Sequence, residues 1–112
     1  MDLKNMKISK NQAIHHQREG VDGYYYQLPD VQNGTTVVYA EFTGEHGQAT
    51  IGEKERIYFI LEGSADFEIN EEKFAVQKDD LVVIPPHGTY NLWPKDGMVK
   101  VLLYMEYLEF NK

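Results

Sequence analysis

From Tyr24 onward the chain is a succession of short apolar and aromatic runs, separated by breaks rich in glycine, proline, asparagine and aspartate. β-Branched and aromatic runs between turn formers predict strands. YYYQL at 24–28 stops at Pro29, and a turn at VQNG, through Asn33 and Gly34, leads into TTVVYAEFT at 35–43. GEHG at 44–47 interrupts the pattern with two glycines. ERIYFILEG at 55–63 is the strongest strand signal; ADFEI at 65–69 follows closely, and NEEK connects as a hairpin into FAVQ at 74–77. KDD marks another turn, after which LVVI at 81–84 is halted by Pro85, which has no N–H to give a ladder. MVKVLLYMEYLEF at 98–110 is the last strand, and a helix over 104–112 is not needed.

Residues 1–22 are polar without a strong period; the spacing Met1, Leu3, Met6, Ile8 suits an arm or an edge strand. The expectation is an all-β domain, sandwich or closed barrel, over 23–112, with a short irregular N-terminal arm at 1–22. Side chains alternate along a strand. Val37, Tyr39 and Glu41 therefore share one face of their run, and Val38, Ala40 and Phe42 the other. Likewise Arg56, Tyr58 and Ile60 oppose Ile57, Phe59 and Leu61.

Length and composition narrow the picture. At 112 residues and 42% hydrophobic, the chain suits one globular domain with its own core. The net charge of −7 argues against nucleic acid and against an anionic membrane, both of which need clustered Lys and Arg. The one basic concentration, Lys4, Lys7, Lys10 and Arg18, is sparse and reads as a solvated tail. With no cysteine there is no disulfide, thiolate metal site or cysteine nucleophile. MDLKNMKISK carries no apolar signal-peptide core, and no run reaches a membrane span of about 18 apolar residues. The expectation is a soluble cytoplasmic protein.

The segment ERIYFILEGSADFEINEEKFAVQKDDLVVIPPHGTYN resembles the core of a cupin. ERIYFILEG is similar to the close of that family's first motif, and DDLVVIPPHG to its second, an acidic turn, an apolar strand and a proline turn in order. The resemblance, over about 24–106, implies a double-stranded β-helix, a jelly-roll-like barrel. It also implies positions for a metal. The family's H-x-H falls around Ala49, Thr50, Ile51 and Gly52, its glutamate on Arg56 and its last histidine on Tyr90, so none is a histidine or carboxylate here. A guanidinium in that place would repel a cation and cannot deprotonate. The expectation is no metal and no other cofactor.

The inward set then suggests chemistry. Arg56 is read as a clamp for a carboxylate or phosphate, since its fork binds such groups bidentately; the competing reading pairs it with Glu41, Glu53 or Glu55. Tyr58 and Tyr90 would hydrogen-bond a ligand beside it, with Tyr90 also a candidate acid or base, though tyrosines also simply fill barrels. His46, between glycines, is the candidate base. Tyr39 and Glu41 complete the ligand-binding set, Glu41 as a partner for Arg56. His87 is expected at the rim, pointing outward, and His15 and His16 on diverging sides of an extended chain.

Two functions follow from different classes. One is a metal-independent small-molecule binder, sensor, carrier, isomerase or lyase, with a pocket for an anionic or sugar-like metabolite. The other is a metal-dependent dioxygenase or isomerase with ligands drawn from His46, His87 and Glu41. A third reading is a barrel filled by tyrosines that serves as an oligomeric module. The face carrying Ile57, Phe59 and Leu61, with the apolar last strand, suits a homodimer.

Overall fold

The structure, a computed structural model, describes residues 7–109. The stretch 1–6, which holds Met1, Leu3 and Met6, and the stretch 110–112, which ends the last predicted strand, lie outside the described residues. One 3-10 turn, Lys10–Gln12, precedes eight strands: β1 (Ile14–Arg18), β2 (Val21–Leu28), β3 (Thr35–Phe42), β4 (Ala49–Thr50), β5 (Arg56–Ile69), β6 (Glu72–Gln77), β7 (Leu81–Ile84) and β8 (Thr89–Glu106). All pairings are antiparallel.

Two long strands turn this set into a barrel. The first half of β5 pairs with β7 and with the second half of β8, which also pairs with β3 and so carries β2 and β1. The second half of β5 pairs with β6 and with the first half of β8, on whose other side lies β4. The change of partners occurs at a break where register passes from Ser64↔Lys95 to Gly63↔Val99. Gly63 has φ +83°, and a Cβ there would sit 2.4 Å from the Met98 carbonyl oxygen, so glycine alone fits the corner. ERIYFILEG and ADFEI are thus one bent strand.

The core is the inward file of each strand: Val38, Ala40 and Phe42 on β3, Tyr58, Ile60, Ala65 and Phe67 on β5, Leu92, Val99 and Val101 on β8, all buried. The outer face of the wall formed by β7, the first half of β5, the second half of β8, β3 and β2 carries two apolar ladders. One runs Val83–Ile57–Tyr104–Val37–Tyr26 and the next Leu81–Phe59–Leu102–Tyr39–Tyr24. Leu81, Val83 and Leu102 are exposed there.

Several expectations shift. Residues 14–18, assigned to the irregular arm, form edge strand β1 against β2. β8 begins at Thr89, nine residues before the predicted start at Met98, and 104–106 are strand. Turn chemistry behaves as its residues dictate: Gln32, Asn33, Asn70, Glu71 and Asp79 all take positive φ. Asp80 braces its turn by accepting from the Gln77 N–H at 2.8 Å.

Candidate functional site

Four of the singled-out side chains meet inside one end of the barrel. β5 supplies Arg56 and Tyr58 as alternate inward residues, β8 supplies Tyr90, and the loop before β4 supplies His46. The Tyr58 and Tyr90 hydroxyls are 2.5 Å apart. Arg56 Nη1 donates to the Tyr90 oxygen at 3.2 Å, and His46 Nε2 stands 3.4 Å from that oxygen. Arg56 also directs Nε and Nη2 to the two carboxylate oxygens of Glu106, at 3.3 and 3.0 Å.

Proton positions follow from the partners. His46 Nδ1 lies 2.6 Å from the Gly47 carbonyl oxygen, which can only accept, so Nδ1 carries the hydrogen. In the neutral ring Nε2 is then the acceptor, open to the Tyr90 O–H. Tyr90's oxygen receives Arg56 and Tyr58 while its own hydrogen points to His46. The chain runs Tyr58 to Tyr90 to His46, with the Arg56 cation at its centre.

Burial and charge tune these groups. Burial pushes the His46 pKa below the ordinary imidazole value; the Gly47 bond opposes this, and the cations Arg18 and Arg56 add to it. Tyr58, wholly enclosed, is pushed well above a free phenol by burial and by Tyr90 beside it. Tyr25, which faces the same space from β2, is raised by burial against the pull of Arg18. For Arg56 burial works against the charge, but Glu106 and Tyr90 outweigh it and hold the guanidinium cationic. Burial likewise works against the Glu106 carboxylate, and its bond from Arg56 wins, lowering its pKa.

The space beside the cluster has two parts. An inner cavity of about 40 Å³ is lined by Arg18, Val21, Tyr25, Val38, Ala40, Phe42, His46, Tyr58, Val101 and Leu103. That is room for a few water molecules and is far below the size of a metabolite site. Outside it lies an open depression of about 600 Å³ lined by Arg18–Gly20 and Gly44–Gly47. Arg18 and His46 line both, and Arg18 Nη2 donates to the His46 carbonyl oxygen at 2.7 Å.

The remaining expected site residues lie elsewhere. Tyr39 and Glu41 are on the outer face, because Val38, Ala40 and Phe42 take the inward parity of β3 and a period of two leaves no choice for their neighbours. Glu41 stands opposite Lys100, and the partner of Arg56 is Glu106, not Glu41, Glu53 or Glu55. His87 is exposed in the proline turn, and His15 stacks on Tyr24 outside the barrel. The set His46, His87 and Glu41 is therefore not brought together, which removes that ligand set for a metal. Among the described residues no group of three or more His, Asp or Glu side chains converges. Arg56, a fixed cation, stands at the centre of the cluster instead.

Glu106, Tyr25, Arg18 and Asn91 belong to the site and escape sequence reasoning. Glu106 is one carboxylate in an apolar strand, Tyr25 one of three consecutive tyrosines, and Arg18 part of a segment that looks like a tail. MVKVLLYMEYLEF carries two carboxylates, Glu106 and Glu109, and the need of an enclosed one for a partner is the one signal on offer.

Comparison with known proteins places this geometry in context. A family model described as the AraC-like ligand binding domain matches residues 34–110. An uncharacterised protein of Methanocaldococcus jannaschii is 37% identical over 68 residues, 57% of this chain and 54% of that protein, so the match spans about half the relative's length. KdgF from Halomonas sp. superposes with a TM-score of 0.74 at 16% identity, over 90% of this chain and 93% of its own. A nucleoside dehydratase from Streptomyces gives 0.77 at 20% identity, over 94% and 85%. A Thermotoga maritima protein described as a predicted oxalate decarboxylase gives 0.76 at 14% identity, over 92% and 100%.

Proposed function

This chain belongs to the family of AraC-like ligand binding domains and has the cupin fold, and from that premise we propose that it binds a small hydroxylated metabolite, of the sugar or nucleoside class, without a metal. The observation that carries the reading is the hydrogen-bonded chain Tyr58–Tyr90–His46, with Arg56 at the central hydroxyl, closing one end of the barrel. The ligand's body rests in the outer depression, which has the size of a small-molecule site. One polar group of it reaches past Arg18 to His46, replacing water in the inner cavity.

Arg56 serves this site through Tyr90. Three of its five N–H groups go to Glu106 and Tyr90, whereas Arg18 gives one bond to the His46 carbonyl and lines both the depression and the inner cavity. An acidic group on the ligand would meet Arg18 first.

A second reading makes the same cluster catalytic. The Streptomyces nucleoside dehydratase has been solved with uridine in variants that replace one histidine by glutamine, or one of two tyrosines by phenylalanine. The cluster here is also one histidine and two tyrosines. An unprotonated imidazole nitrogen beside two hydroxyls supplies a base and an acid, the two functions that loss of water from a hydroxylated substrate requires: the base takes a proton from carbon, and the acid protonates the departing hydroxyl.

The apolar outer face is proposed as the contact between two copies of the chain, stacked about a two-fold axis.

The test is a titration of the full chain with uridine and with free pentoses, followed by calorimetry and by the His46 ring signals. Binding that survives EDTA and weakens at least tenfold in His46→Gln and Tyr58→Phe is expected. Binding indifferent to both substitutions, or dependent on added metal, would sink the reading.

A further inference from the structure

His46 faces inward because of a slip in strand pairing. Ala49 stands opposite Tyr90 and Thr50 opposite Thr89. Continued without a break, that register would set Gly47 opposite Leu92 and His46 opposite Trp93. Leu92 is wholly buried, and Trp93 takes the opposite parity, outside. His46 would then point out to solvent.

Instead the His46 N–H donates to the Leu92 carbonyl oxygen at 3.0 Å, which sets His46 opposite Leu92. The segment 46–49 therefore holds one residue more than the β8 stretch it faces, a bulge. A bulge moves every side chain beyond it to the other face of the sheet. Gly47, with φ +99°, takes the turn that only glycine adopts freely, and a Cβ there would meet no atom within 4 Å.

A bulge leaves backbone groups without their ladder partners. Here Asn91 supplies them. Its Oδ1 accepts from the Gly47 N–H at 2.9 Å and from the Leu92 N–H at 2.8 Å, and its Nδ2 donates to Glu45 Oε2 at 2.6 Å. Asn91 is 7% exposed, one of three buried polar residues among those described. Arg18, on the exposed side, adds a single bond to the loop.

We infer that Asn91 is the positioning residue of the site: its side-chain oxygen stands in for the missing carbonyl at the Gly47 bulge and thereby turns the His46 ring onto the Tyr90 hydroxyl. The inference deepens the proposed function, since it rests on His46 Nε2 being the working acceptor. It touches no ligand directly, and β8 thus contributes both the hydroxyl that His46 meets and, at the next residue, the group that brings His46 to it.

The test reads the His46 ring by NMR in the unliganded full chain. The wild type is expected to show a nuclear Overhauser effect between the His46 and Tyr90 rings, hydrogen on Nδ1, and a titration midpoint below that of free imidazole. Asn91→Ala is expected to lose the Overhauser effect, to lose the fixed tautomer, and to shift the midpoint up toward about 6.5. Asn91→Asp, made together with Glu45→Gln so that no two carboxylates meet, keeps an acceptor for the Gly47 N–H and is expected to keep the Overhauser effect. If Asn91→Ala lowers the melting temperature but leaves all three signals in place, Asn91 is only structural and the inference falls. It falls equally if the Asn91→Asp, Glu45→Gln double variant loses them as fully as the alanine variant. Should Asn91→Ala not fold, Gly47→Val carries the test at a rim position: loss of the His46–Tyr90 effect in a folded barrel supports the bulge, and its retention overturns it. None of these signals needs a ligand, so failure of uridine to bind would remove the proposed function and leave this result intact.

Discussion

Tyr58 and Tyr90 come from strands that are paired over most of their length, yet they are not cross-strand neighbours: Tyr58 stands opposite Leu103 and Tyr90 opposite Ile69. Their hydroxyls meet across the barrel interior, from two walls built by the same two strands.

That meeting ranks two substitutions. Tyr58→Phe leaves the Tyr90 oxygen with Arg56 and its hydrogen with His46, so the loss is that of one hydrogen bond, about 1 kcal/mol. Tyr90→Phe takes the partner from the Tyr58 hydroxyl, Arg56 Nη1 and His46 Nε2 together and should cost more, about 1–3 kcal/mol for each group left unsatisfied. Urea unfolding of both variants measures the order; a larger loss in Tyr58→Phe would contradict the assigned direction of the chain.

Arg56 and Glu106 form a fork-to-fork pair with one exposed shoulder: the arginine side chain is 15% exposed, the glutamate 36%. Solvent screening at the carboxylate limits its worth. A double-mutant cycle with Arg56→Met and Glu106→Gln should give a coupling of about 0.2–1 kcal/mol. A coupling of several kcal/mol would mean that the pair is sealed from water.

Acid should unfold the barrel through Glu106 and His46 together. Both have folded pKa values below their ordinary 4.5 and 6.5. For each, the unfolded chain binds the proton more tightly. Their stabilisation is therefore complete above the ordinary value and is lost as pH falls through the depressed one. Tyr58 acts at the other end, since its raised pKa stabilises the fold below pH 10 and is lost as pH rises through the folded value. Melting temperatures across pH should fall on the acid side first below about 6.5 for His46, then more steeply below about 4.5. His46→Gln should remove the first step alone.

The outer ladders give a sharper test of association. Leu81 is 60% exposed and Val83 50%, on strand β7, which pairs with β5 alone. Leu81→Lys with Val83→Glu should halve the mass seen by light scattering while leaving the barrel's circular dichroism unchanged. A wild-type chain that is already monomeric at tens of micromolar would dispose of the stacked pair.

Much of this fold is legible from pattern. Strands β2, β3, β5, β6 and β7 sit where apolar runs lie between turn formers, and the parity of Arg56, Tyr58 and Ile60 follows from alternation once one of them is known to face in. Alternation fixes which residues share a face but not which face is inside. The ligand-binding set expected from the sequence includes Tyr39 and Glu41, whereas Val38, Ala40 and Phe42 fill the core. The first half of β8 hides behind Asn91, Pro94 and Lys95, which weaken any strand signal. His46 faces in through a bulge, and a bulge appears in sequence only as a glycine among polar residues. Arg18 and Glu106 each owe their place to pairings between distant segments, which no local period encodes.

β8 is hydrogen-bonded to β3, β4 and β5 at once. A ribosome extends the chain from its N-terminus, so those three strands emerge before the one that joins them. Until it arrives, the flank of β3 that it covers lies open, as does one flank of β5, beside Val38, Phe42, Ile60 and Phe67. Unpaired strand edges of this kind invite pairing with other chains. A barrel that has not yet added β8 therefore exposes two such edges at once, and adding β8 covers both.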